Sequence, residues 1–118
     1  MSAPKFESFS AFFPYYLAEH ANPTCRRLHY FGTTLGTSLA AFGLISGQWW
    51  MLLLLPLVGY GCAWVGHFKF ERNRPATFDY PLWSFMGDYK MLALWATGRL
   101  DVPLHEAIRT YGKLARKS

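Results

Sequence analysis

Charge is what this 118-residue chain withholds most clearly. Between Arg27 and Lys69 there is no Asp, Glu, Lys or Arg, forty-one residues in all, although a histidine stands just inside each end. Over the whole chain the charged share is 16%, against about 25% in ordinary soluble domains, so a membrane class is expected. Cysteine is scarce as well: Cys25 lies before the apolar stretch and Cys62 inside it. If the stretch folds back on itself near residue 48, Cys62 is level with position 34, about 14 Å along the helix from Cys25, and no disulfide is expected. Serine and cysteine triads, a phosphate-cradling glycine loop and a CxxC pair are all absent, which removes the commonest hydrolytic, nucleotide and redox sites. No removable signal peptide is expected either, because Pro14 interrupts the aromatic run from Phe9 to Leu17 and no small-residue cleavage site follows.

What is present is apolar and aromatic: 52% of residues are hydrophobic and 19% are Phe, Trp or Tyr. A bilayer core about 30 Å thick takes roughly 20 helical residues per crossing, so the charge-free stretch has the length of two. Ser46, Gly47 and Gln48 mark a turn in its middle, and His29 and His67 are equidistant from residue 48. A hairpin therefore brings two imidazoles to one depth. Arg26, Arg27, Lys69, Arg72 and Arg74 flank its open end while the turn has no charge, so the positive-inside rule puts both termini and the histidines on the cytoplasmic side. The net charge of +5 then serves anionic lipid headgroups, and no nucleic-acid partner is expected.

Read in order, Phe9, Phe12, Phe13, Tyr16 and Leu17 predict a short amphipathic helix at the membrane interface, ended by Asn22-Pro23-Thr24. The first crossing carries a strip of small residues, Gly32, Gly36, Ala40, Gly43 and Gly47, and the second carries Gly59, Ala63 and Gly66, the spacing by which helices approach closely in lipid. Trp49-Trp50 form an aromatic belt at the far interface, and Pro56 predicts a kink. Residues 81–98 are long enough for a third crossing, but Asp88 and Lys90 at the centre argue for a partly immersed helix across the cytoplasmic end of the hairpin. From Pro103 onward, Leu104, Ile108, Tyr111 and Leu114 predict a further surface helix. The expected fold is all-α: a membrane helical hairpin of two crossings with additional interfacial amphipathic helices, in one membrane-embedded domain spanning residues 1–118.

Three of the four histidines, His20, His29 and His67, converge at the cytoplasmic end of such a hairpin and are the candidate metal ligands. Neutral imidazoles suit iron, zinc or copper better than magnesium or calcium, and the ligand set does not choose among the three. Glu71 stands four residues after His67, which on a continuous α-helix puts carboxylate and imidazole on one face, as a further ligand or as a base. Asp88 is the other candidate catalytic carboxylate, either holding a histidine N–H or paired with Arg26, Arg72 or Arg74. His105, beside Glu106, is expected at the surface.

The run from Tyr16 to Pro23, then Arg27-Leu28-His29-Tyr30-Phe31-Gly32, the segment from Gly59 to Phe78 with its GHFxxExNxPA pattern, and Pro81 to Met91 resemble the family of the fungal endoplasmic-reticulum 2-hydroxy fatty acid dioxygenase, over about residues 6 to 100. The resemblance implies an Fe(II)-dependent membrane enzyme that shortens 2-hydroxy fatty acids by one carbon with O2, as in degradation of sphingolipid long-chain bases, with His20, His29 and His67 as its essential residues. Its partners would be a lipid-derived 2-hydroxy acid, O2 and membrane lipids, with a homo-oligomer left open; Arg27, Arg72 and Arg74 would meet the substrate carboxylate. A multi-pass protein of this kind would sit in the inner membrane of a bacterium or the endoplasmic reticulum of a eukaryote. The alternatives are a non-catalytic hairpin that scaffolds membranes, or a different iron-dependent lipid oxidation.

Overall fold

The structure, a computed structural model, describes residues 5–73 and 75–117; it is helical, with no strand among the described residues. Helix α1 (Phe9–Ala18) begins where the Ser8 hydroxyl accepts the Ala11 N–H, and it runs through Pro14 without a break. The residue whose carbonyl Pro14 leaves unpaired, Ser10, is exposed, so water can replace the lost bond. This helix is not an interfacial one. Phe12, Phe13, Tyr15, Tyr16, Leu17 and Ala18 are each 5% exposed or less, because the aromatic residues occupy all sides of the helix and a helix apolar all round has to be enclosed.

Two later helices enclose it. Helix α4 (Pro81–Ala96) brings Gly87 so close that a Cβ there would sit 3.1 Å from the Tyr16 ring, and the Phe12 ring lies 4.9 Å from Tyr80 and 5.8 Å from Trp83. Helix α5 (Asp101–Lys117) has the amphipathic pattern that the sequence predicts, but Leu104 and Ala107 are buried against α1, with Ile108 and Tyr111 beside them. Tyr111 meets Tyr15 edge to face at 5.9 Å. The apolar stripe of α5 thus covers protein, not lipid, which corrects the expectation of a second interfacial helix.

The hairpin is made of α2 (Pro23–Ser46) and α3 (Leu54–Val65), the latter preceded by a 3-10 turn over Trp49–Leu53 and followed by a π-helical turn over Gly66–Glu71. The Asn22 side chain caps α2 by accepting the Thr24 and Cys25 N–H groups, Pro23 occupies its first position, and Gly47 ends it at φ 77°, a left-handed conformation that a Cβ would strain. Pro56 sits in the first turn of α3, just past the change from 3-10 to α-helix, which is where the expected irregularity lies.

The small-residue strip brings the two arms together. A Cβ on Gly32 would stand 2.8 Å from the Cys62 Cβ, one on Gly36 3.1 Å from the Leu55 carbonyl oxygen, and one on Gly43 2.6 Å from the Met51 Cβ. Cys25 and Cys62 are both free. Helix α4 lies alongside α2, with the Tyr89 and Thr37 hydroxyls 2.6 Å apart and Trp95 stacked on Tyr30 at 4.5 Å.

Among the described residues one continuous helical stretch, Trp49–Glu71, is long and apolar enough to cross a membrane. Only 22% of its most apolar window is buried within the chain. Helix α2 has the length but spends many positions on Gly, Thr and Ser and begins with Arg26 and Arg27, so two crossings do not follow from length and composition. Its outer face is nevertheless apolar: Phe31, Phe42, Leu44 and Ile45 are exposed, as are Trp49, Trp50, Leu53, Leu57 and Trp64 beyond the turn.

Candidate metal centre

Each histidine reaches the site from a different element. His20 follows the last turn of α1, His29 lies in the second turn of α2, and His67 is the second residue of the π-helical turn after α3. All three are buried. Their outer ring nitrogens are held in the same manner: Nδ1 of His20 is 2.5 Å from the Tyr16 carbonyl oxygen, Nδ1 of His29 is 2.8 Å from that of Cys25, and Nδ1 of His67 is 2.7 Å from Oδ1 of Asn73. Carbonyl oxygens only accept, so every Nδ1 is the protonated nitrogen and every Nε2 presents a bare lone pair.

Those lone pairs point at one another. Nε2 of His20 is 3.0 Å from Nε2 of His29 and 3.1 Å from Nε2 of His67, and the three rings stand nearly perpendicular, at 83°, 76° and 88°. With all three protons committed outward, no N–H lies between these nitrogens to bond them, and a shared cation could take its place. The three ligand atoms all lie within 4.8 Å of one another. Two nitrogens bound to one ion at about 2.1 Å are at most about 4.2 Å apart, so the two short separations fit. Burial, and the two other imidazoles, push the His20 pKa well below its ordinary value, which keeps it in the neutral, ligating form. The donor set therefore fits a transition metal; it does not identify which.

Nearby residues hold the frame. Arg26 donates from one guanidinium nitrogen to the carbonyl oxygens of His20 and Ala21, both at 2.8 Å, fixing the turn between α1 and α2. Asn73, besides accepting from His67, donates to the Glu19 carbonyl at 3.0 Å, and its own N–H bonds the His67 carbonyl at 3.1 Å. Asn73 thus joins the end of α1 to the end of the hairpin.

The other expected site residues are distributed unevenly. Glu71 does not join the histidines: its carboxylate accepts the Asn22 N–H at the start of α2. The spacing expectation assumed a regular α-helix, whereas His67 and Glu71 lie in a π-helical turn that ends at Arg72 in a left-handed conformation. Asp88 holds no histidine directly and pairs with none of the described arginines; it accepts the Tyr16 hydroxyl, and it is Tyr16 whose carbonyl holds His20 and whose ring lies 4.1 Å from the His20 ring. Burial raises the Asp88 pKa to about 7, opposed by the Tyr16 hydrogen bond. Arg27 is exposed two positions before His29, on the opposite side of α2, and Arg72 is exposed at the end of the π-helical turn with φ 58°. Arg74 lies outside the described residues. His105 is exposed on α5.

Sequence reasoning assigned no role to Asn73 or Tyr16. The signal for Asn73 was its position six residues after His67 in the same motif; nothing along the chain pairs Tyr16 with Asp88, seventy-two residues away.

Three buried, nearly perpendicular imidazoles that could hold a metal ion, beside an apolar helix long enough to cross a membrane, are what this all-helical chain presents. Residues 6–100 match the model of the Mpo1-like family, described as 2-hydroxy-palmitic acid dioxygenase Mpo1-like, and the chain belongs to that family. Neither the curated proteins nor the solved structures contain a match to the chain.

Proposed function

We propose that this protein is an Fe(II)-dependent dioxygenase that shortens 2-hydroxy fatty acids by one carbon with O2, acting at the cytoplasmic face of a membrane that α2 and the Trp49–Glu71 stretch cross as a hairpin. The observation that carries the reading is the histidine triad, Nδ1–H groups donated outward and Nε2 atoms converging, in a chain of a 2-hydroxy-palmitic acid dioxygenase family. His20, His29 and His67 would hold the iron, which when bound supplies O2 activation and a template for the carboxylate and hydroxyl oxygens of the substrate. No second electron donor is needed, because the 2-hydroxy acid itself is oxidised.

The chain's own residues do the rest. Burial of all three imidazoles keeps bulk water from the reacting carbon. The carbonyls of Tyr16 and Cys25 and the amide of Asn73 fix the ring orientations, so the ligands need no reorganisation on binding. Arg27 and Arg72, exposed near the open end, attract the fatty-acid carboxylate to the headgroup layer, where a guanidinium fork suits it. Asp88 serves through Tyr16, and Glu71 through Asn22, as positioning groups. The exposed apolar surface of both arms, with Arg26, Arg27, Lys69 and Arg72 at one end and Trp49-Trp50 at the other, supports the two-crossing orientation.

Protein purified without O2 is expected to hold about one iron per chain and, given 2-hydroxypalmitic acid and O2, to release the acid shorter by one carbon. The 3-hydroxy isomer is expected to fail, since moving the hydroxyl changes both the chelate and the bond cleaved. Full iron occupancy with no product across 2-hydroxy chain lengths refutes the reaction; full iron retention in His29→Ala/His67→Ala refutes the site.

A further inference from the structure

A cavity of about 240 Å³ lies between α2, α3 and α4, lined among others by Thr33, Leu55, Pro56, Gly59, Tyr60 and Asp88. No step so far uses it. Its position relative to the histidines follows from the helices. Thr33 stands one α-helical turn beyond His29, about 6 Å deeper, and Leu55 is twelve residues before His67, about 18 Å deeper. Asp88 marks the end near the metal centre, because its partner Tyr16 both contacts the His20 ring and holds its Nδ1–H. The cavity is therefore polar at the triad end, with Asp88 and Thr33, and apolar at the far end, with Leu55 and Pro56. A fatty acid has the same polarity along its length.

Gly59 is the informative residue in this lining. Gly32, Gly36 and Gly43 are glycines because a neighbouring helix occupies the space of a Cβ, whereas a Cβ on Gly59 meets nothing within 4 Å. Helix packing does not require glycine there. What its missing side chain does is leave the cavity open between the polar end and the Leu55–Pro56 end.

We infer that this cleft is the acyl-chain channel of the metal centre and that Gly59 sets the length of chain it accepts. The inference rests on the fatty-acid reading above, and it makes Gly59 a specificity-determining residue. A side chain at position 59 fills the channel partway along, so a long chain loses the contacts beyond it while a short chain keeps its own. Each methylene kept out costs about fourfold in affinity.

The test uses the full chain in lipid nanodiscs, treated with chelator so that binding is read without turnover. Saturated octanoic and palmitic acids, which lack the reactive hydroxyl, compete with a fluorescent fatty acid for the wild type, Gly59→Leu and Gly61→Leu. Gly61 is the matched control: it too has open space at its Cβ but does not line the cavity. The wild type is expected to prefer palmitic acid, Gly59→Leu to lose at least about tenfold of that preference while binding octanoic acid as before, and Gly61→Leu to behave as wild type. An unchanged preference in Gly59→Leu, or an equal loss in Gly61→Leu, overturns the inference. Iron-loaded protein given 2-hydroxypalmitic acid separates the two readings. Product with no effect of Gly59→Leu on chain length leaves the reaction standing and removes the channel; length-selective binding without product leaves the channel and removes the reaction.

Discussion

Replacing Asn73 by alanine tests whether the geometry around the histidines, rather than their mere presence, makes the site. The side chain of Asn73 accepts the His67 Nδ1–H at 2.7 Å and donates to the Glu19 carbonyl at 3.0 Å, and the residue is buried. Alanine leaves both partners unsatisfied out of reach of water, each costing about 1–3 kcal/mol, so a loss of about 2–6 kcal/mol in stability is expected. The metal suffers separately: losing the acceptor behind a ligating imidazole lowers affinity about 10- to 100-fold. Asn73→Asp separates the two effects, because a carboxylate still accepts from Nδ1–H but cannot donate to Glu19. Thermal unfolding of the metal-free protein should rank wild type above both variants, while competition with a chelator should rank wild type and Asn73→Asp together, well above Asn73→Ala. Equal metal affinity in Asn73→Ala and wild type would refute the claim that Asn73 orients His67.

Alanine at His20, at His29 or at His67 should each sharply lower the iron measured by elemental analysis, and His105→Ala should not, since that side chain is exposed on α5. Asp88 has a folded pKa of about 7 against an ordinary 3.8; a raised folded value means that its contribution to stability is complete below about 3.8 and is lost as pH rises through about 7, so denaturation of Asp88→Asn should lack the part of that decline seen in wild type. Gly43→Ala, whose Cβ would lie 2.6 Å from the Met51 Cβ and 2.8 Å from the Gln48 carbonyl oxygen, should lower the melting temperature, by about 1–3 kcal/mol of overpacking, while Gly61→Ala should not. A cysteine at Gln48 should react with an impermeant reagent only from the side opposite the C-terminus; labelling of both from one side would exclude the two-crossing orientation.

How much of this was legible along the chain depends on the range of the interaction. The hairpin was, because its signals are local: a glycine that can turn left-handed at position 47, an Asn-Pro start at 22 and 23, and small residues repeating on one helical face. The convergence of His29 and His67 followed from symmetry about the turn, and His20 joined them because a short turn leads from α1 into α2. The environment of α1 was not legible. Its aromatic pattern is the same whether one face meets lipid or all faces meet protein, and only the arrival of Gly87 and Tyr111 from later helices decides between them. Glu71 was placed with His67 on spacing alone, and nothing along the chain showed that the Asn22 N–H at the start of α2 would lie within its reach. The π-helical turn ends at Arg72 in a left-handed conformation, after which Asn73 comes back against the His67 ring while Glu71 accepts the Asn22 N–H, so the segment supplies a neutral amide, not a carboxylate, behind the third imidazole. The outer nitrogens of the three rings thus meet two main-chain carbonyls and the Asn73 amide oxygen, with the Cys25 thiol 3.8 Å from the His29 Nδ1, and no carboxylate among the described residues contacts them directly.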